Sequence, residues 1–156
     1  MNSRLFLIFL IFLIFSCSNQ EVCDNEVQSD MVARFKTMES GTIRDTIISG
    51  VTLYGIRGGL PGNLLYDSAT LSRIVLPLDP NSDHTTFLLK VNELTDTLTV
   101  NHQSGFYLIS YACGFGSLFT LEEIDFSGSM ILNTEITKSQ VDAELEQNEE
   151  HLWIYF

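Results

Sequence analysis

Positive charge is scarce in this sequence of 156 residues. Eight Lys and Arg residues stand against twenty Asp and Glu, which gives a formal net charge of −12 at pH 7. Proteins that bind nucleic acid, or that adhere to anionic lipid through charge, need clusters of Lys and Arg. The composition therefore argues against both kinds of partner. The simplest role of such an acidic surface is to keep the protein soluble.

Motifs that identify an active site are also missing. The sequence contains no Gly-x-Ser-x-Gly, His-Glu-x-x-His or Ser-x-x-Lys, and its three histidines (His84, His102 and His151) stand outside any such motif. The glycine-rich stretch at 57–63 lacks the Gly-Lys-Ser/Thr of a phosphate-binding loop. We therefore predict no catalytic residue, no cofactor and no metal ion. An extracytoplasmic hydrolase with an unrecognised site is the alternative function.

A calcium loop is imitated but not completed at 79–90. The acidic and amide residues Asp79, Asn81 and Asp83 have the spacing of its first half. The sixth position, however, is His84 where glycine is needed, and the twelfth is Lys90 where a bidentate Glu belongs. Pro, Asn, Ser and Asp also form turns, so a tight turn is the prediction here.

One long apolar run is present, and it lies at the start of the chain. Arg4 is followed by eleven uninterrupted apolar residues, 5–15. As a helix they would reach roughly 16 Å, about half of the ~30 Å hydrocarbon core of a membrane. The run is too short for a transmembrane helix and has the length and the cationic start of a signal peptide.

The sequence Ile-Phe-Ser-Cys at 14–17 resembles the bacterial lipobox. That resemblance implies cleavage before Cys17 and acylation of its sulfur and new amino group, with residues 1–16 as the signal and 17–30 as an acidic tether. Ser18, rather than Asp, follows the cysteine and favours the outer membrane, on its periplasmic or surface face. The bulky Phe15 keeps an uncleaved anchor or an ordinary secretory signal as alternatives. Loss of the signal removes one positive charge from the net of −12, which leaves −13.

Three cysteines leave a single pair once Cys17 is assigned to lipid. Cys23 and Cys113 can then form a disulfide in an oxidising compartment. In the chain-entropy model a disulfide that closes the long loop between Cys23 and Cys113 stabilises the fold by about 4–5 kcal/mol. A catalytic or metal-binding thiol is the alternative, but no histidine lies near either cysteine in sequence.

Short alternating segments bounded by turn residues dominate the rest of the chain. They predict about nine strands and little helix, so we expect an all-β antiparallel two-sheet sandwich of immunoglobulin-like type in one domain, 31–156. A closed barrel is the alternative. Residues 106–111 are almost wholly apolar and predict a central strand buried on both faces. Only 139–150 could hold a short helical turn or a solvated loop, and the aromatic end at 151–156 predicts a closing strand.

These features favour a membrane-anchored, non-enzymatic binding or envelope-assembly module. Its partners would be membrane lipid, through acylated Cys17, and an envelope protein or glycan. Two exposed loops are the candidate binding elements, and their residues are Arg57 and Asn63 in one and Asp79, Asp83 and His84 in the other. A membrane barrel closing on Phe156 is the third hypothesis, but polar Asn148 and Glu150 fall where its lipid-facing residues belong.

Five segments of the chain carry a family resemblance. They are Val-Thr-Leu-Tyr-Gly at 51–55, Leu-Pro-Leu-Asp-Pro-Asn-Ser-Asp at 76–83, Thr-Asp-Thr-Leu-Thr at 95–99, Ile-Ser-Tyr-Ala-Cys-Gly-Phe at 109–115 and Ile-Tyr-Phe at 154–156. With them the sequence resembles the lipoproteins grouped as domain of unknown function 6452, found in Bacteroidota. The resemblance implies an exported lipoprotein of one β-rich domain. It implies no activity and no functional residues.

Overall fold

The computed structural model describes residues 29–111, 113–142 and 149–156, and this part of the chain is built from strands. Eleven strands are present where about nine were predicted, since short pairings of two to four residues add to the count. They are β1 Asp30–Glu39, β2 Thr42–Asp45, β3 Ile48–Arg57, β4 Leu60–Leu71, β5 Arg73–Pro77, β6 His84–Val91, β7 Leu94–Ser110, β8 Gly114–Ser127, β9 Asn133–Ile136, β10 Gln140–Val141 and β11 Leu152–Tyr155.

Two mainly antiparallel sheets pack together, which confirms the predicted all-β sandwich. The first sheet has the order β2-β1-β11-β9, with β5 also paired to β1, and the second has the order β10-β8-β7-β6-β3-β4. In the first sheet, β5 and β2 pair with successive halves of β1, while the C-terminal β11 pairs with β1 in parallel. The immunoglobulin-like type stays a prediction.

The core lies between the sheets and follows the two-residue period of the strands. Met31, Ala33 and Phe35 of β1, the alternating residues expected from the sequence, are fully buried. Alternate residues of the second sheet face them, among them Leu53 of β3 and Leu98 of β7. This alternation decides which face of each strand is available for a surface site.

The hairpin of β7 and β8 is the longest element, with strands of 17 and 14 residues. The neighbouring β6 begins at His84, opposite Asn101 of β7, and β10 pairs with β8 only at Phe119 and Thr120. Beyond this point the hairpin continues as two strands only, within the described part of the chain. We call its end, residues 106–111 and 113–117, the hairpin tip.

The prediction that 106–111 form a central strand buried on both faces is wrong. Phe106 is 68% exposed and Tyr111 is fully exposed. An apolar run shows that a strand can be buried, but it does not show whether a neighbouring strand and an opposing sheet extend far enough to bury it. Here they end before the hairpin does.

Several predictions fall on the rest of the chain. The signal peptide, Cys17, Cys23 and most of the tether lie outside the described residues, as do residues 143–148. The described beginning of 139–150 contains the short strand β10, not a helical turn. Within the described ranges there is no helix long and apolar enough to cross a membrane.

Candidate functional site

The two loops predicted to bind a partner meet at one end of the second sheet. Strands β3 and β6 are antiparallel neighbours, and Ile56 near the end of β3 lies opposite Thr86 near the start of β6. The β3–β4 turn therefore lies next to the β5–β6 loop. The Arg57 guanidinium is 3.9 Å from the Asp79 carboxylate, so the two loops are joined by charge as well as by position.

A cleft opens between these loops. It consists of two adjoining cavities of about 340 and 520 Å³, a size typical of sites for small ligands or short segments of a partner. The two cavities share Ile56, Arg57, Asp79 and Thr85. The first is further lined by residues that include Asn63, Leu78, Pro80, Asn81 and Phe87, and the second by Gly58, Gly59, Ser82, His84 and Thr86.

Four of the five predicted loop residues line this cleft, namely Arg57, Asn63, Asp79 and His84. The fifth, Asp83, points outward with a side chain 92% exposed, and its Oδ1 lies 2.7 Å from Nδ1 of His84. That contact with His84 lowers the pKa of the Asp83 carboxyl. Asp83 therefore contacts His84 but does not itself line the cleft.

The β5–β6 loop is a turn, as predicted, and Asp79 organises it. The Asp79 carboxylate accepts a hydrogen bond from the backbone N–H of Asn81 at 2.9 Å, and the Asp79 N–H donates to the Thr85 hydroxyl at 2.9 Å. These bonds are those of an Asx-type turn. Among the described residues no group of three or more His, Cys, Asp or Glu is placed to hold a metal ion.

His102 lies directly beneath this loop and was not among the predicted site residues. Its backbone N–H donates to the Asp83 carbonyl at 2.9 Å, and its Nε2 is 2.9 Å from the Thr85 hydroxyl. The side chain is 1% exposed, and burial lowers the pKa of the imidazole. Its inward position follows from the alternation of Leu98, Val100 and His102 in β7, a signal that sequence inspection could have used.

The hydrogen bonds of the two histidines bear on the hydrolase alternative. A catalytic histidine needs both a nucleophile and an orienting carboxylate at its ring. The ring of His84 contacts the Asp83 carboxylate, while the Ser82 hydroxyl accepts from the His84 backbone N–H at 3.3 Å. The ring of His102 contacts the Thr85 hydroxyl, and its Nδ1 has no hydrogen-bond partner within the described residues. The carboxylate contact of a catalytic triad is thus found at His84, and the hydroxyl contact is found at His102.

Comparison with known proteins shows which family the chain resembles. A family model described as a family of unknown function, DUF6452, matches residues 50–156, which include both loops of the cleft and the hairpin tip. No curated protein and no solved structure matches the chain.

Proposed function

The chain belongs to the family of unknown function DUF6452, which names no activity, and we propose from its geometry that it is a non-enzymatic binding module. The cleft between the β3–β4 turn and the β5–β6 loop holds the ligand. That ligand is a segment of an envelope protein or a glycan. The module is exported and held at the outer membrane by acyl chains on Cys17.

The observation that carries this proposal is the meeting of two loops, distant in sequence, around one cleft. The Arg57 side chain is 91% exposed, so its guanidinium donors are available to a ligand. The neighbouring Asp79 supplies a carboxylate, and the half-buried Ile56 and Leu65 supply an apolar surface. A charged pair above an apolar surface suits a partner with both polar and apolar groups.

Support for a membrane-proximal site comes from where the described chain begins. Asp30 pairs with Pro77, directly before the cleft residues Leu78 and Asp79. Ser29 is twelve residues from Cys17, and an extended chain of that length reaches at most about 40 Å. Acyl chains on Cys17 would therefore keep the cleft close to the membrane surface.

The proposed Cys23–Cys113 disulfide fits the same arrangement. Ser29 donates a hydrogen bond to the carbonyl of Ser117 in β8. Cys23 lies six residues before Ser29, and Cys113 lies four residues before Ser117, so both can reach one point beside the hairpin. Peptide mapping under non-reducing conditions should yield the linked peptides; two unlinked peptides would contradict the bridge.

Cleft binding is tested by crosslinking in cells that express the full chain. We expect an envelope partner to be captured by the native chain and lost from Arg57→Ala and Asp79→Ala. The matched control is Arg44→Ala, an exposed arginine of β2 outside the cleft, which should capture the partner normally. Identical capture by all three variants would contradict a role for the cleft.

Lipidation is tested separately by feeding cells a labelled fatty acid. The native chain should incorporate the label, and Cys17→Ala should not. Equal labelling of the two chains, or of neither, would contradict acylation at Cys17. This readout does not depend on what the cleft binds.

A further inference from the structure

The hairpin tip carries an apolar surface that the cleft does not use. Phe106, Leu108 and Phe115 are exposed by 68, 48 and 67%. Leu108 lies opposite Phe115 across the strands, so these two side chains share a face. Three large apolar side chains on a narrow, two-stranded element form an exposed patch. Such a patch indicates an interaction surface separate from the cleft.

This exposed face continues the core-facing side of β7. Leu98, Val100 and His102 point inward. Because side chains alternate between the two faces of a strand, Phe106 and Leu108 lie on the same face as these three residues. This face of β7 therefore carries large apolar side chains in the second half of the strand as well as in the first. The described part of the opposing sheet buries only its first half.

The opposite face of the tip is apolar as well. Tyr107 lies opposite Gly116, and a methyl group at Gly116 would come to 3.0 Å from the side chains of both Tyr107 and Ile109. Ile109 is 38% exposed, and Tyr111 at the turn is fully exposed. Both faces of the described part of the tip thus carry apolar or aromatic side chains.

Charge is absent from the same region. Between Asp96 and Glu122 the sequence has no Asp, Glu, Lys or Arg over 25 residues, although the whole chain carries a net charge of −12. Entry into a lipid interface would therefore desolvate no charged side chain of the tip. Tyrosine and other aromatic side chains are also favourable at the boundary between headgroups and hydrocarbon.

The tip lies beside the point where the chain enters the domain. Ser29, fully buried, donates its hydroxyl hydrogen bond to Ser117, which pairs with Phe106 at the base of the tip. Cys17 is twelve residues upstream. A bilayer that holds acyl chains on Cys17 would therefore lie within reach of the tip.

Other occupants fit less well. The proposed Cys23–Cys113 bridge would hold the segment 18–28 beside the tip, but this segment carries Glu21, Asp24 and Glu26, which are poor cover for an apolar face. A second copy of the chain would place two acidic chains side by side, each with a net charge of −12, and these would repel each other although the tips themselves are uncharged. We propose that the hairpin tip inserts into the headgroup–hydrocarbon boundary of the membrane, as a second contact beside the lipid anchor. This inference rests on the proposed function in one respect: the lipid anchor on Cys17 is the reason for choosing a membrane as the partner of the tip.

The test places a single tryptophan at the tip of the full lipidated chain. In a Trp153→Phe background, Tyr111→Trp puts the probe at a fully exposed position, where folding is not at stake. The matched control is Leu94→Trp, a 51% exposed apolar position at the β6–β7 turn, at the opposite end of β7. Both chains are reconstituted in phosphatidylcholine vesicles with bromine near the headgroup end or near the methyl end of the acyl chain.

We expect fluorescence at position 111 to be quenched, most strongly by the shallow bromine, and fluorescence at position 94 to be unaffected. Adding Phe106→Asp and Leu108→Asp to the Tyr111→Trp chain should reduce the inserted fraction about tenfold or more, since apolar burial is replaced by buried charge. A blue-shifted but unquenched probe at 111 means a protein cover and overturns the proposal. An unshifted, unquenched probe overturns it too.

The anchor and the tip can fail separately. A chain that incorporates the labelled fatty acid and floats with vesicles, but shows no quenching at position 111, refutes tip insertion and leaves the anchor standing. A chain that is not labelled, yet is quenched at position 111 when mixed with vesicles, refutes the anchor and supports the tip.

Discussion

The two ends of the β7–β8 hairpin use the same pair of strands in opposite ways. Near the β6–β7 turn, the Asp96 carboxylate is 1% exposed and accepts hydrogen bonds from three consecutive backbone N–H groups, those of Ser129, Met130 and Ile131, at 3.0, 2.8 and 2.7 Å. At the other end the tip carries no charge and exposes its aromatic side chains. One end buries a charged group inside protein, and the other exposes apolar groups outside it.

This difference shows that burial in a β-protein depends on the layer opposite a strand as much as on the strand's own residues. The inner face of β7 changes from Leu98 and Val100, 1% and 0% exposed, to Phe106, which is mostly exposed. A buried carboxylate is tolerated where every lone pair finds a donor. Exposed apolar groups, in turn, indicate a surface that meets something other than water.

The largest effect should come from removing the buried charge. Asp96→Ala leaves three backbone N–H groups without their acceptor, and we expect the free energy of unfolding to fall by about 3–5 kcal/mol. Urea denaturation measures it. The control, Asp67→Ala in an exposed stretch of β4, should change stability by no more than about 0.5 kcal/mol. Similar losses in the two variants would mean that the Asp96 contacts are not structural.

A slightly smaller fall in the free energy of unfolding is expected from Gly128→Ala. Gly128 has φ of +132°, and a Cβ there would overlap the Asp96 carboxylate. Displacement of that carboxylate, together with backbone strain, should cost about 3–4 kcal/mol. Gly41→Ala is the matched control, because φ is +79° but nothing lies within 4 Å of the added methyl. If both cost the same, strain alone would explain the loss.

Acid should destabilise the fold because it protonates His151, whose imidazole is buried. His151 is 0% exposed, its Nδ1 accepts from the Val32 N–H at 3.1 Å, and burial lowers its pKa to about 4. The unfolded chain binds the proton near pH 6.5, so the stability is intact above pH 6.5 and falls as pH drops towards 4, by roughly 3 kcal/mol. Denaturation at several pH values measures this. In His151→Gln the slope should shrink to what other groups, including His102, contribute; an unchanged slope would contradict it.

The smallest effect should be at the tip. Leu108→Ala removes a side chain that is already 48% exposed and should cost less than about 1 kcal/mol. Leu98→Ala, on the same face of the same strand but 1% exposed, should cost about 2–5 kcal/mol. Thermal or urea unfolding of the pair compares the two ends directly. Equal losses would show that protein covers the tip.

Local pattern was enough to predict the fold class and the positions of the two loops. Alternation in β1 identified Met31, Ala33 and Phe35, and the turn chemistry around Asp79 predicted the loop that it organises. The local sequence pattern could not predict which distant segments of the chain pair with each other. The parallel pairing of β1 with β11 and the burial of Asp96 both depend on contacts far apart in sequence, and so does the exposure of the tip.

Amide hydrogen exchange along β7 tests the comparison most directly. A lipid-free form, secreted with Ser18 as its first residue, is measured with and without phosphatidylcholine vesicles. We predict that amides at 106–110 exchange at least about tenfold faster than those at 96–102 in solution, and that vesicles slow only the former. Equal protection of both segments in solution would contradict the account, because the tip would then be covered by protein.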